Sequence, residues 1–375
     1  MIQTAKLLKE LIALPSVNPT FLPPGDSRAG EQLVADFLAT VAAQSGLEVE
    51  FQKVLPNRAN LLARFSPSGK IRRRILLAPH LDTVGGNDSQ FRPQKKDGRI
   101  FGRGACDTKG SAAAMLGALC DLAQSPKRPR ETEIIFAGLV DEENAQAGSR
   151  ALAASGIKAD LAIVGEPTRL QIVTAHKGTV WLRMETRGKA AHGSRPELGR
   201  NAVHEMARVV DFLETDYAAI LRQRRHPLLG PATISVGTIS GGTQPNIVPD
   251  SCSISVDRRT LPGETERSVQ REISRFLRAK NLKVIFKNEK LDACSPLETD
   301  PRVPLVRQFL ESLGQRKPAG AHFFCDAAIL AAGGIPSVVF GPGDIAQAHT
   351  ANEWISLASL ERAREMLTRF FLSLP

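Results

Sequence analysis

Acidic and imidazole side chains occur in this chain where its apolar runs stop. His80 and Asp82 follow IRRRILLAP, Asp107 sits in GRGACDTKG, and Asp141, Glu142 and Glu143 follow EIIFAGLV. Glu166 follows DLAIVG, and His349 comes shortly after the loop GPGD. Carboxylates gathered at one edge of a sheet repel one another. Protons or cations between them relieve that repulsion. The pattern therefore predicts a site for two divalent metal ions.

Each member has a plainer reading beside the chemical one. In His80-Leu81-Asp82, residues two apart in an extended segment point the same way. Asp82 could then take the second N–H of a metal-bound His80, although a surface or capping Asp beside a core His explains the pair equally. Asp107, between glycines and a helix, could bridge two cations or simply cap the helix. Adjacent acids at a strand end point to different sides, so one of Glu142 and Glu143 could bind metal and the other act as a general base. The polar stretch VDEENAQAG could also be a solvated turn. Together the set is more specific. Two His and three carboxylates, one of them bridging, give each of two metals one His and two carboxylates, with a shared water completing the shell. No thiolate is included, which disfavours a structural cysteine-type zinc site. A water of lowered pKa, a free Glu to take its proton and a polarised carbonyl amount to metal-assisted amide hydrolysis.

The elements that must position these residues follow from length and patterning. With 375 residues, two domains are expected. Composition, 42% hydrophobic and 23% charged, is that of a soluble globular protein. No apolar run is long enough for a membrane span. The N-terminus carries Lys6, Lys9 and Glu10 within its apolar pattern and reads as an amphipathic helix from Thr4 rather than a signal peptide. Cysteines at 106, 120, 252, 294 and 325 show no CxxC spacing, which points to a reduced, cytoplasmic protein. The net charge of +10 is spread over stretches such as Arg72-Arg73-Arg74, with two Trp and one Tyr in the whole chain. That excludes an aromatic-interleaved nucleic-acid surface but suits attraction of carboxylate-bearing substrates.

Residues up to about 174 alternate strand and helix. Helices are expected at 4–13, 29–45, after Asp107-Thr108 through SAAAMLGALCDLA, and at 147–155. Strands are expected at 48–54, 59–65, 74–79, 132–140 and 160–164. This is an α/β domain with a mostly parallel inner sheet, whose ligands sit at the carboxyl ends of the strands. From Gly178 the pattern becomes β-α-β-β-α-β, through TVWLRMETRG, GRNAVHEMARVVDFLET, ATISVGTISG, SCSISVDRRT, ETERSVQREISRFLRAK and LKVIFKNE. That is a small α+β sandwich. A buried strand at 336–340 then leads to His349. The expectation is a catalytic domain from residues 1–176 and 291–375 and an inserted domain at 177–290.

The blocks APHLDTV, GRGACDTKG, VDEEN, VGEPT, GKAAHGSRPELGRNA, GGTQPNIVPDSCSISVDRRTLPGE and FGPGDIAQAHTANEW resemble, in order and nearly end to end, the M20 family of metallopeptidases and deacylases. The style of GEPT and DRRTLPGE is similar to its acetylornithine deacetylase and succinyl-diaminopimelate desuccinylase branch. The resemblance implies that His80 and Glu166 hold one zinc, that Glu143 and His349 hold the other, and that Asp107 bridges them through a cis peptide to Thr108. Cobalt or manganese would also suit these donors. Asp82 would orient His80, and Glu142 would be the general base. The inserted domain would form a homodimer in which His192 reaches the partner's site and stabilises the oxyanion. Asn246, Arg259 and the Gly341-Pro342-Gly343 loop would face an N-acyl amino acid or dipeptide-like substrate. Arg259 is preferred over Arg258 from the family's Asp-x-Arg spacing.

Rival readings fare worse. Gly341–Ala346 fits G-x-G-x-x-A, but no clear helix follows, against a dinucleotide site. There is no G-x-S-x-G elbow. A carboxypeptidase, or a noncatalytic peptide-binding homologue, would share much of the pattern. His176, His204 and His226 lack a His-x-Asp partner, His322 has Asp326 at helical spacing, and Cys106 reads as a small core thiol.

Overall fold

A computed structural model describes residues 3–287 and 294–375. The chain divides into two compact units. One comprises Met1–Thr174, Thr299–Gly320 and Cys325–Pro375, and the other Ala175–Glu298 with Ala321–Phe324. Both ends of the chain thus build the larger unit. The boundary expected at 290–291 lies outside the described residues, as does the end of the strand expected through residue 289.

The heart of the larger unit is a mixed sheet. Six of its strands run in the order Glu48–Leu55, Arg58–Phe65, Thr132–Gly138, Arg73–Pro79, Leu161–Gly165 and Ser337–Val339. The last four are mutually parallel, in registers such as Leu77↔Phe136, Leu77↔Ile163 and Val338↔Ile163. The first two join antiparallel. Thr132–Gly138 and Leu161–Gly165 are buried at every position. Such continuous apolar runs suit strands covered on both faces. The parallel strands all present their carboxyl ends to one edge, and the acidic and imidazole residues follow there.

The helix Lys109–Gln124 is almost wholly buried. Its run of Ala and Gly allows close approach, and a Cβ at Gly117 would stand 3.4 Å from Arg364 Cδ of the C-terminal helix Leu357–Leu372. Lys109 is buried with it, and its Nζ donates to the carbonyls of Leu11 and Leu14, each at 2.8 Å, at the end of the helix Thr4–Ala13. Carbonyls in the last turn of a helix lack their full set of intrahelical donors. Burial pushes the Lys109 ammonium down to about 7. Phe309 anchors the far side, with ring centroids 5.4 Å from Phe340 and 4.6 Å from Phe370. Thr108 stands at the N-cap of Lys109–Gln124, but no side chain caps that helix. Thr108 Oγ1 donates instead to the His80 carbonyl at 2.9 Å, and Asp107 is turned toward two histidines.

The smaller unit is a four-stranded antiparallel sheet, ordered Thr233–Gly241, Ser251–Thr260, Gly178–Arg187 and Ile285–Lys287. Ser251–Thr260 alternates strictly between half-exposed and buried positions, so one face is covered. The covering helices are Ala202–Phe212 and Glu266–Ala279, which contribute Met206, Val209, Val269, Ile273 and Leu277 to the core. The first helix does not stop near Thr215. A π-helical turn, Leu213–Tyr217, carries it on to Gln223, because Leu213, Tyr217 and Leu221 continue the buried stripe.

Candidate metal centre

Four loops at the carboxyl edge of the parallel strands converge on Asp107. His80 Nε2 lies 3.0 Å from Asp107 Oδ1 and 3.8 Å from Glu166 Oε1. His349 Nε2 lies 3.3 Å from Asp107 Oδ2 and 3.1 Å from Glu143 Oε2. The two oxygens of one carboxylate therefore face two different imidazoles, each with a further glutamate beside it. Ligand atoms of His80, Asp107 and Glu143 fall within 4.8 Å of one another. The Asp107–Thr108 peptide is cis.

The His80 side is pinned from several directions. Ser16 Oγ donates to the Leu81 carbonyl at 2.7 Å, on the next residue, and Thr108 holds the His80 carbonyl. His80 Nδ1 is 3.0 Å from the Asp82 carbonyl oxygen and 3.5 Å from its carboxylate. That carboxylate has other work. It accepts the amides of Glu142 and Glu143, each at 3.1 Å, and Asn18 Nδ2 at 2.8 Å. Asp82 thus sits between the His80 segment and the glutamate pair. Asn18 also donates to Asp141 Oδ1 at 3.0 Å, and Arg58 joins Asp141 to Glu31 at 2.9 and 2.5 Å.

Glu166 leaves its strand against Gly341. A Cβ at Gly341 would meet the Glu166 carbonyl oxygen at 2.5 Å and run into Ser111 Oγ, so no other residue fits there without movement. The Gly341 peptide is held as well: its amide donates to Thr168 Oγ1 at 3.1 Å, and its carbonyl accepts the Leu170 amide at 3.0 Å.

The electrostatics show how unevenly the charges are balanced. Burial pushes the carboxyls of Glu142 and Glu166 well up, and nearby carboxylates, Asp326 among them, add to it. Burial would drive the His80 imidazole down, but hydrogen bonds to Asp107 and Asp82 outweigh it and hold it well above its ordinary value. His349, hydrogen-bonded to Asp107 and Glu143, is raised to about 10. Asp107 is held low against its own burial by His349 and His80. In protein alone, imidazolium charge offsets the repulsion among the carboxylates. Divalent cations would do so more fully, and the donor set, imidazole nitrogen and carboxylate oxygen only, suits zinc, cobalt or manganese.

The remaining expected residues lie in the smaller unit. His192 is exposed, its Nδ1 is 2.7 Å from Ser194 Oγ, and it forms a bridge with Ile247. The neighbouring Gly193 amide donates to the Asn246 carbonyl at 2.7 Å, so His192 and Asn246 stand side by side. Arg258 is fully buried and donates to Glu264 at 2.6 Å. Arg259 points to the half-exposed face, where it pairs with Asp257 at 3.0 Å and lies 5.7 Å from the Phe324 ring. Cys106 is buried, donates to the Asp344 carbonyl at 3.3 Å and is held as a thiol, first by burial and then by Glu353 and Asp107.

Asn18, Arg58, Glu31 and Glu353 are not singled out from the sequence, and Asp141 is named only as part of the acidic run. The helical spacing of His322 and Asp326 is noted there and set aside, and the helix indeed begins only at Ala327. Asp326 is buried and accepts Ser149 Oγ at 2.6 Å and Gln146 Nε2 at 3.2 Å, and burial raises its carboxyl to about 6. The available hint was composition alone: polar residues in otherwise apolar surroundings.

A mixed α/β sheet with an imidazole and carboxylate cluster at the carboxyl ends of its parallel strands has the arrangement of a metal-dependent hydrolase. The model of the peptidase family M20/M25/M40 matches residues 76–373, and the chain belongs to this family. It is 32% identical over 350 residues to an acetylornithine deacetylase of Myxococcus xanthus, covering 89% of this chain and 90% of that protein. Among solved structures, the aminopeptidase PepT of Bacillus cereus superposes with a TM-score of 0.76 at 23% identity, covering 98% of this chain and 97% of that one. The Bacillus subtilis YXEP protein, described as a dinuclear metal binding peptidase of family M20, gives 0.70 at 14% identity, covering 98% and 96%. The chain is thus a metallohydrolase of the M20 family, whose members use divalent metal ions and act on acyl amino acids or peptides.

Proposed function

We propose that this protein hydrolyses the amide bond of a small N-acyl amino acid, with an acetylornithine-like or succinylated diamino-acid substrate as the first choice. The observation that carries the reading is Asp107, whose Oδ1 and Oδ2 face His80 at 3.0 Å and His349 at 3.3 Å. In it, His80 and Glu166 hold one divalent ion, Glu143 and His349 the other, and Asp107 both. Zinc is preferred over cobalt or manganese. When bound, the ions supply Lewis acidity toward the scissile carbonyl and toward water. Asp82 orients His80. Glu142 takes a proton from the attacking water as its oxygen bonds to the carbonyl carbon, then returns it to the amine nitrogen as the C–N bond breaks. Burial raises its carboxyl, the direction that makes a carboxylate a stronger proton acceptor once ionised.

His192 is assigned to oxyanion stabilisation in a homodimer. Asn246, Arg259 and Gly341 are assigned to substrate, with Arg259 pairing bidentately with its carboxylate. Burial of Arg258 leaves Arg259 as the arginine available for this role. The substrate choice leans on the name of the Myxococcus relative at 32% identity. A carboxypeptidase or dipeptidase activity is the second reading, supported by the shared fold of solved peptidases.

A panel of acetylated, succinylated and dipeptide substrates, assayed with zinc, cobalt and manganese, tests both. Hydrolysis of N-acyl amino acids with little dipeptide cleavage is expected, and the reverse preference favours the second reading. No hydrolysis with any metal rejects both. Glu142→Gln is expected to keep its metal and lose about 10²–10⁴-fold in kcat, and wild-type turnover removes Glu142 from the base role.

A further inference from the structure

Glu353 lies outside the ligand set, yet its carboxylate is held in the loop that presents Asp107. One oxygen, Oε1, accepts the amides of Cys106 at 2.8 Å and of Asp107 itself at 3.0 Å. The other, Oε2, accepts the Gly104 amide at 3.0 Å and Arg103 Nη1 at 2.8 Å. Four donors therefore converge on one buried side chain, which is 1% exposed. Its main chain is held as well: the Glu353 carbonyl accepts the Gly102 amide at 3.0 Å.

The sequence explains how a residue near position 350 reaches this loop. Trp354–Ser356 pairs antiparallel with Arg99–Phe101, in the register Trp354↔Phe101. The residue before one strand therefore faces the residues after the other. Gly104, at φ +80°, takes a left-handed conformation that a Cβ would strain, and an added Cβ would meet Lys109 Cδ at 2.8 Å. The loop thus turns its amides inward onto a single acceptor. His349 lies four residues before Glu353, on the same connection. The backbone of Asp107 and the connection that carries His349 are in this way tied to one anchor.

From this geometry we infer that Glu353 is a positioning residue for the metal centre: it fixes the backbone of the bridging Asp107, and so sets the metal affinity of both sites while touching neither ion. The inference rests on the proposed metal-dependent reading of the centre. The chemistry requires a carboxylate. It is an acceptor at both oxygens, whereas the isosteric amide of glutamine turns an NH2 group toward two N–H donors whichever way it is flipped. Buried donors left facing a donor are costly, and the loop must move to relieve them.

The test is titration of the metal-free full-length chain with zinc, and with cobalt(II) followed by its visible absorption spectrum, for wild type, Glu353→Gln and Glu353→Asp. Glu353→Gln is expected to weaken both sites by about 10–100-fold and to alter the cobalt spectrum, as loss of an outer partner typically does. Glu353→Asp keeps the charge one methylene short and is expected to recover part of the loss. The same comparison in a His349→Ala background isolates the other ion, and Glu353→Gln should still weaken it there. Wild-type affinity and spectrum in a folded Glu353→Gln overturn the inference, even if its metal-free melting temperature falls, because that assigns Glu353 to the fold alone. Should Glu353→Gln not fold, wild-type affinity in Glu353→Asp overturns it equally. If wild type itself binds no metal, the underlying reading fails instead, which is a separate result.

Discussion

The two halves of the centre are built differently. His80 is buried, its side chain 1% exposed, on a strand end held by Ser16, Thr108 and Asp82. His349 stands 54% exposed, at φ +61°, on a loop between a short helix and a strand. A ligand on a packed strand end is already oriented before an ion arrives. A ligand on an open loop must be ordered by binding, which costs conformational entropy. On the proposed two-ion reading, the difference predicts that the centre fills in order, the His80–Glu166 side tightly and the His349–Glu143 side more weakly.

The largest expected effect comes from erasing what the halves share. Asp107→Ala should empty both sites and lower kcat/KM by about a thousand-fold or more, checked by metal analysis beside steady-state kinetics. Next come the halves taken singly. His349→Ala should retain one ion per chain, and His80→Ala less than one. The opposite ranking by metal analysis would invert the comparison. Smaller again is Asn18→Ala, which removes a donor to Asp82 and Asp141 on the preorganised half. We expect about a 10-fold loss of affinity for the first ion, and an equal loss at both sites would show that Asn18 does not discriminate the halves.

A buried imidazole without any carboxylate supplies the reference point, read in stability rather than in metal affinity. His176 Nδ1 is 2.9 Å from the Lys177 carbonyl, and its buried Nε2 has no partner among the described residues. Burial lowers its pKa from the usual 6.5 to about 4. The folded state thus disfavours a proton that the unfolded chain takes up. This contribution to stability is intact above pH 6.5 and is lost as pH falls toward 4, amounting to on the order of 3 kcal/mol. Thermal melts should show that slope, and His176→Gln should flatten it. An unchanged slope would place its origin in other groups.

Much of this could be read from the chain before any coordinates. His80, Glu143 and Glu166 could be picked out because each follows an apolar strand, and strand ends in a parallel sheet share one edge; Asp107 instead precedes a helix. The split βαββαβ order was equally visible, since its strands alternate and its helices are amphipathic. The supporting shell was not. Asn18, Arg58 and Asp141 meet although 40 and 83 residues separate them in turn, and each alone is an ordinary polar residue. Glu353 sits in the block ANEW, where nothing reports that four donors close on it. Asp326 was set aside with His322, because nothing in its neighbours reports that Ser149 and Gln146 close on it. Local pattern reports direction along an element, while hydrogen-bond partners depend on which loops the fold brings together.

The assembly of the larger unit from both ends of the chain bears on how the protein is made. His80, Asp107, Glu143 and Glu166 all leave the ribosome before the smaller unit, whereas the Ser337–Val339 strand and His349 come after it. At synthesis rates of roughly 5–20 residues per second, His349 trails His80 by roughly 13–54 seconds. During that interval the nascent chain carries one imidazole among several carboxylates and an uncovered edge at Leu161–Gly165. On the proposed reading, the second ion can be loaded only after His349 has been made, and a chain arrested within the smaller unit can at most retain the first.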